Sequence, residues 1–411
     1  MFKNIAFVYT YYALRYLFPL FVVSVASYLM TSYELALLLT GQSIAMVAAQ
    51  LVEYGFGLAG SRDIAAVHGI EKDRARVVTA VLSAQCLMAP ASVALSALLF
   101  FSSPLHRGND ALILPLAMYG LALGFGAGWY FQGSGRVGLS ATLEGLGNLL
   151  AMLCFGGALA IGGDVIAGIT ALAMGPILSS LAGWLIITRE NSVSLSVRQG
   201  GVALRINFSL FLVRAGITSY TAATTWLMSV LSTAEQTAVY GSALRVAGGV
   251  SQGLFGPLVQ VMLPHMVQLG RNPIRERETL LRLGGILVTT GIAGAICLYI
   301  AAPLLAGLLL GSEDATGPIR ILCWMIIPIS LSQFSGLYVL VANRKDRYVA
   351  ISIFIGALFN VLTALYLAPR SGADGMSLSR VLSETVIAVA QTLFAWPTIR
   401  RVTSSPKGCC S

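Results

Sequence analysis

Charge is scarce in this sequence. Only 10% of the 411 residues are Asp, Glu, Lys or Arg, whereas 56% are hydrophobic and the mean hydropathy is +0.80. A typical soluble domain is about 25% charged. Windows of about 20 apolar residues, the length of a membrane-spanning helix, recur from end to end. This shortage excludes a sizeable soluble domain and predicts an all-α, multi-pass integral membrane protein.

Residues that build metal or catalytic centres are also few. The three histidines are scattered without a metal-ligand spacing, and there is no Walker A lysine to indicate direct use of ATP. The segments predicted on the outer side are too short to house a polymerase or ligase site. We therefore expect no metal, no cofactor and no enzymatic activity. The net charge of +9 does not indicate a nucleic-acid partner, because in a membrane protein the distribution of charge matters more than its sum.

Apolar windows predict twelve spans. They cover about 7–29, 38–59, 78–101, 111–131, 138–161, 165–187, 207–231, 238–266, 284–309, 318–341, 348–368 and 375–397.

The basic residues are distributed to one side of these spans. Of the 26, three lie inside spans and four lie in one set of loops and flanks (Arg107, Arg320, Arg370 and Arg380), which leaves nineteen for the other set. Loops rich in Lys and Arg stay in the cytoplasm. Both termini are therefore predicted to be cytoplasmic.

A faint internal repeat divides the spans into two sets of six. Glu34 and Glu235 each precede a span and are 201 residues apart (235 − 34), as are Gly55 and Gly256 (256 − 55). Because six is even, both sets enter the membrane from the cytoplasm, which makes the repeat parallel. We expect two six-helix lobes, residues 1–195 and 196–411, around a central cavity.

Three arginines fall at bilayer depth. These are Arg15, Arg214 and Arg245, on the first and second helices of the two lobes. Ionisable groups in spans usually face a bundle interior or a water-filled cavity, and a guanidinium binds phosphate through two parallel hydrogen bonds. The sequence favours a cavity position for Arg15 and Arg214. For Arg245 it favours a cavity position and a structural role about equally. The structural alternative is pairing with Glu or backbone carbonyls, or snorkelling to an interface.

Three carboxylates are candidates for ion coupling: Glu53, Glu144 and Glu384. Each lies within or at the end of a predicted span. Glu384 follows Arg380 by one helical turn, which favours a local ion pair. Glu53 and Glu144 either bind a coupling proton or sodium ion or pair with a cavity arginine, and the sequence does not choose.

Small residues recur in the fourth span. Gly120, Gly124 and Gly128 lie on one helix face at four-residue spacing. This pattern lets helix backbones approach closely in lipid, so we expect a packing face there.

Tryptophans lie near the inner ends of several spans. Trp129, Trp184 and Trp396 hold these positions, which are typical of the aromatic belt at a membrane interface.

Several motifs resemble those of Wzx-type polysaccharide flippases of the MOP superfamily. Glu53–Phe56 followed by Ser61–Ala65 is similar to the acidic-Tyr-Gly-Phe and Arg-acidic-Ile-Ala signature, and Trp129–Gly133 is similar to the Trp-x-Phe-Gln-Gly motif. Further similarity lies in the connection of spans nine and ten and in the last span, at Leu310-Gly311, Arg320–Leu322, Gly372–Gly375 and Ser383-Glu384.

The resemblance implies a MATE-like fold in the bacterial inner membrane. It implies transport of an undecaprenyl-pyrophosphate-linked oligosaccharide, for O-antigen or exopolysaccharide synthesis, from the cytoplasmic to the periplasmic leaflet. Arg15, Arg214 and Arg245 are then expected to bind the pyrophosphate. Arg62, Asp63 and Gln132 are expected at the cytoplasmic mouth, where Arg62 and Asp63 either gate entry or cap the helix.

Partners expected from this resemblance are the lipid-linked oligosaccharide, membrane lipid, a polysaccharide polymerase and a chain-length regulator, with the protein itself a monomer. The alternatives are a MATE-like multidrug or cation antiporter, which needs an acidic cavity, and a lipid II-type flippase, whose family resembles fourteen spans rather than twelve. An integral-membrane polymerase, the fourth reading, would show a large outer loop.

Overall fold

The computed structural model describes residues 17–67, 71–269, 273–343 and 345–404, and the side chains of 257–281 and 401–404 lie outside that description. Throughout this part of the chain the regular elements are helices. By residue contacts the chain divides into two compact units, Met1–Ala238 and Val239–Ser411.

The first unit holds ten helices and the start of an eleventh in its described residues. They are α1 (Leu17–Leu29), α2 (Ser32–Glu53), α3 (Phe56–Ala66), α4 (Glu71–Ser102), α5 (Ile113–Gly124), α6 (Gly128–Gly133), α7 (Val137–Ala160), α8 (Val165–Glu190), α9 (Val197–Thr221), α10 (Ala223–Leu231) and the first turn of α11 (Ala234–Leu269). Short 3-10 turns, Pro104–His106 and Asp110–Leu112, connect α4 to α5.

The second unit continues from α11. It contains α12 (Pro273–Leu310), α13 (Thr316–Leu322), α14 (Ile326–Ser332), a π-helix (Gln333–Val341) and α15 (Asp346–Ser404). The backbone leaves helical geometry at Gly372 (φ 54°, ψ −131°), which separates α15 into two halves. Asn360 in the first half donates a hydrogen bond to Ser379 in the second half (3.2 Å), so the two halves pack together.

The helices of the described residues follow the predicted spans. Nine helices in the described residues are long and apolar enough to cross a bilayer, and one of them, Asp346–Arg400, covers the last two predicted windows. The shorter helix Leu17–Leu29 covers the described part of the first window, and α11 covers the eighth. The protein is a multi-pass membrane protein, as its shortage of charge predicts.

The lobe boundary predicted near residue 195 differs from the contact boundary at Ala238. The difference arises because α9 packs against α2 and α4, and α10 packs against α2, so the seventh span belongs by contacts to the first unit. Lobes defined by an internal repeat need not have the same boundary as units defined by residue contacts. The division into 1–195 and 196–411 therefore stays a prediction.

Helix α2 is the centre of the first unit. It begins at a capping box, in which Thr31 N–H donates to Glu34 Oε2 (2.9 Å) and Glu34 N–H donates to Thr31 Oγ1 (3.3 Å). The helix then packs against α4, α5, α8, α9 and α10, and its run Leu35–Ala45 is buried. A helix that is apolar on every side is stable only inside a bundle.

The predicted second span is broken. Tyr54 (φ 48°) and Gly55 (φ 84°) adopt left-handed conformations and end α2, and α3 starts again at Phe56. A Cβ at Gly55 would lie 3.2 Å from Cβ of Leu210 on α9, so this position also needs a small residue for close approach. The apolar pattern continues through residue 59, so hydropathy alone does not reveal the break.

The glycine face of the fourth span was predicted to be a packing face, and this holds for Gly120 and Gly124. A Cβ at Gly120 would lie 3.2 Å from the carbonyl oxygen of Ala45, and one at Gly124 would lie 2.9 Å from that of Ala49. Both carbonyls belong to α2, so the glycines bring α5 against its backbone. Gly128 falls beyond a break at Phe125–Ala127, begins α6 and faces a carboxylate of α7 instead.

Candidate functional site

A cavity of about 530 Å³ lies within the first unit. Residues of α2 to α9 line it, and they combine apolar side chains with amides, hydroxyls and three charged groups. The charged groups are Glu53, Glu144 and Arg214, and Gln132 also lines the space. Four of the predicted site residues are therefore brought together in one unit.

Glu53 is positioned by the break between α2 and α3. Its Oε2 accepts hydrogen bonds from Gln50 Nε2 (2.8 Å) and from Gly55 N–H (2.9 Å), and its Oε1 accepts one from Gly57 N–H (2.9 Å). The first amides of α3 have no partner within their own helix, and the positive end of the helix dipole favours a carboxylate there. A Cβ at Gly57 would lie 2.7 Å from Oε1, so glycine makes room for this contact.

Arg214 reaches the same carboxylate from α9. Its Nε lies 3.9 Å from Oε2 of Glu53, which is an ion pair at the outer limit of contact. That Nε is buried and makes no hydrogen bond to any described residue, although 43% of the side chain is exposed. Thr218, one turn further along α9, donates to Gln50 Oε1 (2.9 Å) and so fixes α9 against α2 at this level.

Glu144 lies on the α6–α7 side of the cavity. Ser140, one turn earlier on α7, donates to its Oε1 (3.2 Å). A Cβ at Gly128 would lie 2.7 Å from that oxygen, 3.0 Å from Ser140 Oγ and 3.6 Å from Gln132 Nε2. The missing side chain at Gly128 therefore allows α6 to carry Gln132 close to Glu144.

Among the other predicted site residues of the first unit, Arg62 and Asp63 do not line this cavity. Arg62 and Asp63 form an exposed ion pair with each other on α3 (3.4 Å). Arg245 is half-buried on α11 in the second unit, and Arg15 lies outside the described residues. The cavity predicted to be shared by Arg15, Arg214 and Arg245 therefore stays a prediction.

Glu384 is engaged in the local ion pair that its spacing favours. Its Oε1 lies 2.7 Å from Arg380 NH2 in the second half of α15, and both side chains are buried (5% and 7% exposed). A buried pair of this kind is strongly destabilised when one partner is removed, because the remaining charge is uncompensated. Its role in ion coupling stays a prediction.

Trp129 does not belong to an aromatic belt. It is 3% exposed, and a Cβ at Gly60 would lie 2.6 Å from its ring, so the indole packs directly on the α3 backbone. Trp184 is half-buried and donates from Nε1 to the carbonyl oxygen of Phe125 (2.7 Å), which the break before α6 leaves free. Of these three tryptophans, only Trp396, at 59% exposed, has the surface position that the belt requires.

Sequence reasoning missed a polar network at the predicted cytoplasmic end of the first unit. Arg136 holds the carboxylate of Glu190 with two hydrogen bonds of 2.6 Å, and Tyr130 O–H donates to the same carboxylate (2.9 Å). Asn191 Nδ2 donates to Tyr130 Oη (3.0 Å) and its Oδ1 accepts from Arg74 Nε (2.9 Å). The network joins α4, α6, α7 and α8. In the sequence, the only indication of this network was Tyr130, which occupies the variable position of the Trp-x-Phe-Gln-Gly motif.

Comparison with known proteins supports a transport family. The family model for polysaccharide biosynthesis proteins matches residues 1–270. A Shigella dysenteriae protein described as a candidate O-antigen transporter is 24% identical over 398 residues, which cover 94% of this chain and 98% of that protein.

Solved structures share the fold at low identity. An inward-facing multidrug-resistance transporter of the MATE family and MOP superfamily has a TM-score of 0.77 at 15% identity, covering 95% of this chain and 96% of its own. The lipid II flippase MurJ, in an inward closed conformation, has a TM-score of 0.77 at 15% identity, covering 97% of this chain and 90% of its own. The all-α, MATE-like fold class is confirmed, and so is the resemblance drawn from the motifs. Because the family model spans well over half of its length, the chain belongs to the polysaccharide biosynthesis protein family.

Proposed function

We propose that this protein moves an undecaprenyl-pyrophosphate-linked oligosaccharide from the cytoplasmic to the periplasmic leaflet of the bacterial inner membrane, for O-antigen or exopolysaccharide synthesis. The family and the name of the Shigella relative support transport of a polysaccharide precursor. Sugars and pyrophosphate do not cross hydrocarbon unaided, since their polar groups would lose water without gaining partners.

The observation that carries the proposal is the state of Arg214. Its side chain is 43% exposed, its buried Nε makes no hydrogen bond among described residues, and its carboxylate neighbour lies at 3.9 Å. A guanidinium in this state is ready to bind an anion, for which bidentate pairing with a phosphate is the favoured geometry. Amides and hydroxyls that line the same cavity, including Asn148, Ser179 and Thr221, are suited to sugar hydroxyls. Arg15 and Arg245 stay proposed as further ligands of the same headgroup.

Glu53 and Glu144 are proposed to couple transport to a cation. Together with Arg214 they give the described cavity wall two negative charges and one positive charge. A dianionic headgroup is repelled by this balance unless a proton or sodium ion joins the carboxylates. Glu53 also competes with the headgroup for Arg214, so neutralising Glu53 would favour substrate binding.

Expression of Arg214→Gln in a deletion strain tests the proposal. We expect surface glycan to fall about tenfold or more relative to wild type at equal membrane protein, because loss of a charge-assisted hydrogen bond costs about 1.5–3 kcal/mol. Arg205→Gln, an exposed arginine of the same helix outside the cavity, is the matched control and should retain export. Undiminished glycan in the Arg214→Gln strain would refute the assignment.

The second candidate function is cation or multidrug antiport. The two carboxylates in the cavity favour it, because an antiporter for cationic drugs requires acidic groups there. A drug-susceptibility panel beside surface-glycan staining separates the two in one deletion strain. Loss of glycan with unchanged drug susceptibility supports the flippase, and the reverse supports the antiporter.

The remaining expectations follow from the flippase proposal. Both termini face the cytoplasm, the protein acts as a monomer without catalysing a reaction, and a polymerase and chain-length regulator use its product.

A further inference from the structure

A second cavity in the first unit is apolar and open on one side. It has a volume of about 510 Å³ and lies between α3, α4 and α9. Val77, Ala80 and Val81 line one wall, and Val202, Ala203 and Ile206 line the other. We call this space the α4–α9 groove. Val202 and Ile206 are 52% and 69% exposed, so the groove is not filled by the unit's own side chains.

The groove has cationic side chains at one end. Arg76 lies in the second turn of α4 and Arg198 in the first turn of α9, close to the helix ends predicted to face the cytoplasm. Arg198 forms no ion pair with any described residue, and Arg76, 79% exposed, contacts Asp73 only at 3.4 Å. Asp63 also borders the groove but is paired with Arg62 (3.4 Å). Exposed pairs of this length are weak, so both arginines remain available to an anion.

The dimensions fit a lipid lying at the level of one leaflet. From Arg198 to Asn207 the lining of α9 extends nine residues, or about 13 Å at 1.5 Å per residue. The two arginines therefore lie at the level of the water interface. The valine, alanine and isoleucine side chains of the groove lie deeper, at the level of the hydrocarbon. Phosphate at the arginines and an alkyl or isoprenoid chain along the walls match this order.

Phe56 is the wall that separates the groove from the polar cavity. It lines both spaces and is 1% exposed. Its ring neighbours Tyr54 (5.9 Å between centroids), which stacks on Phe211 of α9 (4.4 Å, 8° between planes). The partition is therefore aromatic and sits at the break between α2 and α3, beside the carboxylate that meets Arg214. A lipid-linked substrate whose chain lies in the groove would have its headgroup next to the polar cavity. A bulk phospholipid gains nothing from that neighbouring cavity, so the position favours the substrate.

We propose that the α4–α9 groove holds the isoprenoid chain of the carrier lipid, with its phosphate on Arg76 and Arg198, before the headgroup passes Phe56 into the cavity. This inference rests on the proposed function, since it assigns an entry position to the same substrate.

Native mass spectrometry of the purified full-length protein tests the groove directly, with undecaprenyl phosphate as the probe. We expect Ala203→Trp, which fills the groove, and Arg198→Gln, which removes a phosphate ligand, each to lower the bound fraction about tenfold. Ala94→Trp, an exposed alanine of α4 outside the groove, and Arg205→Gln should bind as wild type. Ala203→Leu replaces the tryptophan variant if that protein does not fold.

The outcomes separate the alternatives. Wild-type binding by folded Ala203→Trp or Ala203→Leu overturns the groove assignment. Phosphatidylglycerol that binds equally well and is lost equally in the variants identifies a bulk-lipid site and also overturns it. Full competition by inorganic pyrophosphate, with the groove variants unaffected, places the probe elsewhere. The Arg214→Gln export result is independent: normal export there refutes the headgroup assignment, whereas the groove result depends on binding alone.

Discussion

Replacing Gly55 with alanine tests whether the break between α2 and α3 is a fixed part of the folded state. Gly55 has φ 84°, a region in which a side chain costs about 1–2 kcal/mol. The added Cβ would lie 3.2 Å from Leu210 Cβ and 3.3 Å from the Leu210 carbonyl carbon, so α9 must shift by a few tenths of an ångström. We expect a loss of about 2 kcal/mol in the free energy of unfolding.

The assay is thermal unfolding of the purified protein followed by tryptophan fluorescence. For a unit of this size about 2 kcal/mol lowers Tm by roughly 4–8 °C. Gly201→Ala is the matched control, because Gly201 is helical and a Cβ there meets nothing within 4 Å. It should raise Tm slightly, since alanine is favoured over glycine in a helix by about 1 kcal/mol.

A result within about 1 °C of wild type for Gly55→Ala, with the control behaving as expected, would refute this reasoning. It would mean that the left-handed conformation at residue 55 is not required, and that Glu53 is positioned without it. A fall in Tm accompanied by a fall in export would instead connect the break to function.

Three further variants follow from the site. Glu53→Gln should raise affinity for inorganic pyrophosphate severalfold in a binding titration, because it removes the competing charge beside Arg214. Unchanged or weaker binding would contradict that competition. Arg136→Lys should destabilise the first unit by about 1 kcal/mol in chemical unfolding, since lysine does not reproduce the two hydrogen bonds to Glu190. If the two residues act as a pair, adding Glu190→Gln to this variant should cause little further loss of stability. Burial lowers the pKa of His106 to about 4 from 6.5, so the unfolded chain takes up a proton first as pH falls. Stability should therefore decrease from pH 6.5 towards pH 4, and the histidine should account for about 3 kcal/mol of that loss. His106→Phe should make the fall in Tm over this range shallower, and equal slopes in both proteins would argue against the histidine.

Sequence reasoning succeeded where a property is local and additive. Hydropathy identifies each span because burying about 20 apolar residues in lipid requires only their composition. The packing of Gly120 and Gly124 on α2 follows from spacing on one helix face. The capping of α2 by Thr31 and Glu34 is local too, as a Thr followed three residues later by Glu, but the predicted span, which begins at residue 38, did not include it.

It failed where a residue's role depends on another helix. The left-handed backbone of Tyr54 comes with a stack on Phe211, which lies 157 positions away in the chain (211 − 54). Trp129 has the position of a belt residue in sequence, yet the glycine at residue 60 opens a buried place for its ring. Glu190 at the end of a span carries no distinguishing pattern, because its partners Arg136 and Tyr130 are supplied by α6 and the start of α7.

The hydrogen bonding of Glu53 has a consequence for turnover. Gln50 and two backbone amides satisfy this carboxylate without any help from Arg214. When the guanidinium leaves for an anion, the carboxylate keeps its partners and no bare charge is left behind in the wall. Under the proposed function, the guanidinium leaves this 3.9 Å contact and re-forms it in each transport cycle at a small cost in free energy.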